Sequence, residues 1–81
     1  MGMDKNLTVL RKFSTNMIRK RYEKNISQLK LAEMVGCHLN TINSIEKKTF
    51  LPNLDLALKI SKVLEISLDE LVERALDEIE V

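Results

Sequence analysis

The chain of 81 residues holds one cysteine, one histidine, one proline, two glycines and no tryptophan. A single cysteine cannot close an internal disulfide, and no C-x-x-C or paired His/Cys spacing exists for zinc. That excludes a stapled secreted fold and a structural metal, and it points to a reducing compartment. No apolar run approaches the roughly 20 residues that cross a bilayer; uncharged stretches such as Val35 to Ile45 fall far short. The opening residues Met1-Gly2-Met3-Asp4-Lys5-Asn6 carry an acid early and place Asn6 where a myristoylation signal needs Ser or Thr. A cytoplasmic protein without membrane association is therefore expected.

Chemistry is scarce as well. One histidine makes no catalytic pair, and there is no glycine-rich phosphate loop and no paired acid and base. Folding at this length hides only about 60% of the unfolded surface, enough for one domain over residues 1–81 with a thin core and no deep pocket. The sequence reads as a non-enzyme with no cofactor and no small-molecule ligand. Its 44% hydrophobic and 31% charged content is nonetheless that of a folding, globular chain.

Charge of one sign is almost absent from the total, 13 basic against 12 acidic side chains, but not from the distribution. Residues 1–48 carry ten Lys and Arg against four acids, whereas residues 49–81 carry three against eight. A basic half of +6 beside an acidic half of −5 fits a face for an anionic partner and a second face turned elsewhere. The alternative is an ordinary solvated surface.

The apolar spacing is helical nearly throughout and predicts an all-α fold of five helices. The first runs from about Asn6 or Thr8 to Lys24, with Leu7, Leu10, Phe13 and Met17 on one stripe and Ile18 and Tyr22 beside it; it ends at Asn25, which tolerates a left-handed backbone. Ser27 caps a second helix, Gln28 to Val35, stopped by Gly36. A third opens at His38 or Leu39 and reaches about Lys47. Pro52 and Asn53 start a fourth, whose expected buried stripe is Leu54, Ala57, Leu58, Ile60, Ser61 and Leu64. Ser67-Leu68-Asp69-Glu70 is a capping box that opens a fifth helix, expected over 68–79.

Residues 28–47 meet the steric demands of a helix-turn-helix. Two short helices crossing steeply need a small side chain where they touch, supplied by Ala32, and a residue that turns left-handed without strain, supplied by Gly36. Leu31, Val35, Cys37, Ile42 and Ile45 then fall inward, leaving Leu39, Asn40, Asn43 and Ser44 outward. That outward set is uncharged and amide-rich, which suits the base edges of a major groove, where Asn can grip adenine through both its oxygen and its nitrogen.

The ordered positions Ser27-Gln28-x-x-Leu31-Ala32-x-x-Val35-Gly36, Thr41-Ile42-x-x-Ile45-Glu46 and Pro52-x-Leu54 resemble the phage-repressor and Cro-like, or XRE-like, helix-turn-helix family from about Phe13 to Val72. The resemblance implies a compact five-helix bundle and double-stranded DNA as partner. It places Gln28 at a DNA phosphate, or bracing a recognition residue, and His38, Leu39, Asn40, Asn43 and Ser44 in the groove, with Thr41 near the backbone. It also implies that Arg21 and Glu46 form a partly buried ion pair between the first and third helices. Lys48 departs from the family's usual Gly or Asn after the third helix and is available to a phosphate instead; Leu39 departs from a polar reader and offers only apolar contact, as with a thymine methyl. Lys20 stands where an aliphatic residue is usual.

Bland readings stand beside these. His38 has as alternatives a cap of the third helix, a solvated residue or a pH-sensitive group, Cys37 reads as a small packing residue rather than a redox sensor, and Met17 and Met34 read as core or gap filling. The fifth-helix stripe Leu68, Leu71, Val72, Ala75, Leu76 and Ile79 is longer than so small a core needs and is expected to form a homodimer seam. Together these features predict a sequence-specific transcriptional regulator, a repressor acting as a homodimer on a palindromic operator, with Lys30, Lys47, Lys48, Thr49 and the first helix's exposed bases on phosphates. The alternative is a protein-interaction module, such as an antitoxin or anti-repressor partner, using the same fold.

Overall fold

Four helices of this chain end in one and the same way, and that repetition sets the architecture. The computed structural model describes the backbone of residues 5–73 and the side chains from Thr8 onward. Its helices are α1 (Lys5–Glu23), α2 (Gln28–Val35), α3 (Leu39–Glu46), α4 (Leu54–Leu64) and α5 (Leu68–Leu71), with no strand among the described residues. After each of the first four, one residue turns left-handed: Asn25 at φ 61°, Gly36 at 78°, Lys48 at 64° and Glu65 at 56°. The next residue then donates its N–H five residues back, Ile26 to Arg21, Cys37 to Ala32, Thr49 to Ser44 and Ile66 to Ser61, at 2.9–3.1 Å. These are Schellman turns, which satisfy carbonyls left over at a helix end.

Three of the four turns go straight from this motif into the N-cap of the next helix, Ser27, His38 and Ser67. Such short connections hold α2 against α3 and α4 against α5. Ser27 Oγ accepts from Lys30 N–H at 2.9 Å, and Ser67 and Glu70 form the expected reciprocal capping box. Hydrogen bonds donated by the Ser67 hydroxyl and backbone N–H hold the Glu70 carboxyl below its ordinary pKa. The connection from α3 to α4 is longer, and there Pro52 is buried and Asn53 Oδ1 accepts from Leu56 N–H at 2.8 Å.

The core is built by Phe13 and Met17 of α1, Leu31, Ala32 and Val35 of α2, Ile42 and Ile45 of α3, Ala57, Ile60 and Leu64 of α4, and Ile66 and Leu71. On α1 the buried face is partly polar, which the apolar spacing did not show. Ser14 Oγ donates to the Glu46 carbonyl at 3.1 Å, and Asn16 Nδ2 donates to the Leu71 carbonyl at 2.9 Å, latching α1 to the ends of α3 and α5. Tyr22 is exposed, and Ile18 and Lys20 are half-buried, the Lys20 ammonium lying 3.4 Å from Glu23 with its stem covered.

Four expectations need correction. Leu54 and Leu58 are 67% and 50% exposed, because α4 buries the arc of Ala57, Ile60 and Leu64 and turns the Leu54 and Leu58 side outward. Met34 is exposed on α2, unlike the fully buried Met17. The fifth helix does not run on from Leu71: Val72 and Glu73 form a turn, and Glu73 has a φ of 48°, a value no uninterrupted helix contains. Leu71 is completely buried in the protein's own core and so cannot belong to the expected seam, whereas Leu68 and Val72 are only partly buried against that core. Ala75, Leu76 and Ile79 lie outside the described residues.

The left-handed turns generate a test. A Cβ added to Gly36 meets nothing within 4 Å, so Gly36→Ala costs only backbone strain, about 1 kcal/mol. Lys48→Gly relieves the same strain and is expected to raise stability by up to ~1 kcal/mol. Urea denaturation should move the two midpoints in opposite directions.

Candidate nucleic-acid interface

The sequence from Ser27 to Lys47 places α3 by three devices. Ala32, 1% exposed, lets the α2 and α3 backbones approach; Gly36 supplies the turn; and Ile42 and Ile45, fully buried, anchor α3 from behind. What remains outward is the expected reading set. Leu39 and Asn40 are exposed, and Thr41, Asn43 and Ser44 are half-buried along the same helix. His38 is the N-cap residue of α3, exposed, with no capping hydrogen bond from its side chain. Cys37 is half-buried beside the core, and desolvation pushes its thiol above the ordinary pKa.

The orientation of α3 is locked by a charged cluster. Arg21 Nε donates to Glu46 Oε2 at 2.7 Å and Arg21 Nη2 donates to Glu46 Oε1 at 3.1 Å, a two-pronged pair whose side chains are 8% and 9% exposed. Gln28 Nε2 donates to the same Oε1 at 2.7 Å, and Arg21 Nη1 donates to the Ile26 carbonyl at 2.9 Å. One carboxylate at the end of α3 thus gathers α1 and the start of α2. The Glu46 hydrogen bonds hold the Arg21 guanidinium above its ordinary pKa against the desolvation that opposes it. A raised basic pKa stabilises the fold at every pH below the unfolded value and loses that effect only in strong base, so neutral pH lies on its plateau. Gln28 is accordingly engaged through its side-chain nitrogen, and what its end of α2 still offers an anion is the first-turn backbone N–H groups.

A shallow hollow of about 290 Å³ is lined by Asn40, Thr41, Ser44, Thr49 and Phe50. It brings two of the expected reading residues, Asn40 and Ser44, together with Thr41, expected near the backbone, and with Thr49, whose Oγ1 donates to the Ser44 carbonyl at 3.1 Å. Phe50 was not anticipated. It is 44% exposed and lies in the connection between α3 and α4, outside any helical stripe, so the apolar periodicity gave no signal for it.

Among the expected phosphate contacts the structure separates two groups. Arg19 pairs with Glu23 at 3.0 Å and Lys24, just after α1, pairs with Glu65, while Arg21 is buried on Glu46 as expected, so part of the positive charge of this segment is matched internally and Arg11 remains exposed. Lys30, Lys47 and Lys48 are exposed and have no ion pair among the described residues. Among those residues there is also no group of three His, Cys, Asp or Glu able to hold a metal ion, and no helix long and apolar enough to cross a membrane.

A family model described as helix-turn-helix matches residues 17–71, more than half of the chain and all of α2, α3 and α4. The chain belongs to the XRE-type helix-turn-helix family. No curated protein shows a significant match to it. The family is one of DNA-binding regulators, and in this helix-turn-helix protein α3 stands where the motif's second, reading helix does.

The lock predicts an asymmetry between single and double replacements. Glu46→Ala strands a buried guanidinium and is expected to cost about 3–5 kcal/mol, whereas Arg21→Met combined with Glu46→Leu should be clearly less damaging than Glu46→Ala alone. Urea midpoints of the three proteins check this; equal losses would mean that the pair adds nothing as a pair.

Proposed function

We propose that this helix-turn-helix protein is a sequence-specific transcriptional regulator of the cytoplasm, a repressor that binds a palindromic operator as a homodimer. The observation that carries the reading is α3 itself: two buried isoleucines on one side and Leu39, Asn40, Asn43 and Ser44 on the other, held at a fixed angle by Glu46. Asn40 and Asn43 read base edges, Leu39 makes apolar contact, and Thr41, Ser44 and Phe50 line the approach of the backbone. Lys30, Lys47, Lys48 and Thr49 contact phosphates, with the N-terminus of α2 at Gln28 as a further anion site and His38 beside it at the start of α3. Two copies place their reading helices about one helical turn, roughly 34–36 Å, apart.

Selection of bound sequences from random DNA is the direct test: a palindrome with that half-site spacing is expected, and no enrichment would sink the reading in favour of a protein-interaction module. Three unpaired lysines per copy give about six phosphate contacts in a dimer, so affinity should fall by ~10³-fold between 50 and 200 mM salt. Asn40→Ala or Asn43→Ala should relax base preference by about 1–3 kcal/mol for each bidentate amide–adenine pair removed, whereas Lys47→Ala should weaken all sequences alike. Fluorescence anisotropy against cognate and scrambled duplexes separates the two effects.

A further inference from the structure

The hollow beside the reading helix has a chemistry that its residue names conceal. Four of the five residues around it, Asn40, Thr41, Ser44 and Thr49, are polar, yet the surface that they and Phe50 present there is mostly carbon. Thr49 accounts for part of this. Its backbone N–H and its Oγ1 both donate to the Ser44 carbonyl, at 2.9 and 3.1 Å, so its hydroxyl is engaged within the turn. Those two bonds, with the left-handed Lys48 before them, fix the course of the chain after α3 and bring the exposed Phe50 ring into the same hollow as Asn40 and Ser44.

We propose that this hollow seats the 5-methyl group of a thymine and that the Phe50 ring is the residue that reads it; this deepens the regulator reading and rests on it for the presence of DNA. Phe50 then does more than line the approach of the backbone. Three features select a methyl group. Base pairs present hydrogen-bond donors and acceptors in the major groove, with one apolar substituent among them, the thymine methyl, so a carbon-lined hollow on a base-reading face has a single match there. The hollow opens at the first turn of α3, where Asn40 and Thr41 stand, and the start of the motif's second helix is the part that meets base edges. Asn40 is exposed and is itself a wall of the hollow, so an adenine gripped by its amide sets the adjoining base step against Phe50. At about 290 Å³ the hollow admits the methyl-bearing edge of a pyrimidine. Leu39, exposed on the same turn of α3, is a separate apolar residue whose methyl contact has to be told apart from that of Phe50.

Uracil scanning tests this on the full chain. In a sequence selected out of random DNA, each thymine in turn is replaced by deoxyuridine, which removes the methyl and keeps every hydrogen-bonding group. One position per half-site is expected at which that loss weakens wild-type binding ~4-fold, the worth of one buried carbon, and at which Phe50→Ala binds the thymine and uracil duplexes equally. Phe50→Leu, still apolar, should keep most of the difference. Thermal unfolding of each variant confirms that it folds. A nuclear Overhauser effect between the Phe50 ring protons and a thymine methyl in the wild-type complex is expected as well, and it decides the matter if Phe50→Ala does not fold. Uracil duplexes bound as tightly as thymine ones would overturn the inference. So would a uracil penalty that persists in Phe50→Ala and vanishes only in Leu39→Ala, or a Phe50→Ala protein weakened equally on every duplex, as a ring packed on deoxyribose would be. No enriched sequence overturns the regulator reading and this inference with it, whereas an enriched sequence indifferent to its methyl groups overturns this inference alone.

Discussion

The fold turns on a carboxylate. Glu46 closes α3, and by accepting hydrogen bonds from both Arg21 and Gln28 it connects the end of the reading helix to α1 and to the start of α2. In a core as thin as this one, helix crossing angles set by apolar packing alone are loosely determined, because small rotations exchange one leucine neighbour for another at little cost. A bidentate guanidinium pair does not slide in that way; it has one good geometry. The same residues that make α3 a rigid platform also place a buried charge where its loss is severe, which couples the integrity of the reading surface to the stability of the domain.

The helix ends show how much of this was legible in the sequence. Asn25, Gly36, Ser27, Asn53 and the Ser67 and Glu70 box each do locally what their chemistry dictates, and the boundaries follow within a residue or two, except at the end of the fifth helix, where no stop signal stands after Leu71. Lys48 and Glu65 are left-handed as well, although neither residue type favours it, so those turns are imposed by the helices on either side and not by propensity. Apolar period alone misjudged α4. Leu54 and Leu58 share a spacing with Ala57 and Ser61, and a stripe that wide cannot tell which of its edges faces the core. Ser14 and Asn16 escaped notice for the opposite reason: they are buried by hydrogen bonds to distant carbonyls, which no local pattern records. Phe50 joins the reading hollow only because the turn after α3 folds back beside it.

Charge followed a similar course. The excess of basic residues in the first 48 positions suggests a broad positive face, yet much of it is matched within the molecule, Arg19 by Glu23, Arg21 by Glu46 and Lys24 by Glu65. Two of these acids lie far along the chain from their partners, so only the fold reveals the cancellation. Among the described residues Arg11 on α1 stays exposed, and Lys30 before the turn with Lys47 and Lys48 after α3 brackets that helix. In the proposed function such a local field positions the helix on the duplex without giving strong attraction to DNA of any sequence.

Weak non-specific attraction makes the second copy essential to the proposed function. A single α3 offers few base contacts, and three lysines supply little electrostatic affinity, so one domain alone gains little on its site. Joining two such domains turns the second binding event into an intramolecular one, and the gain depends on how rigidly their spacing is held.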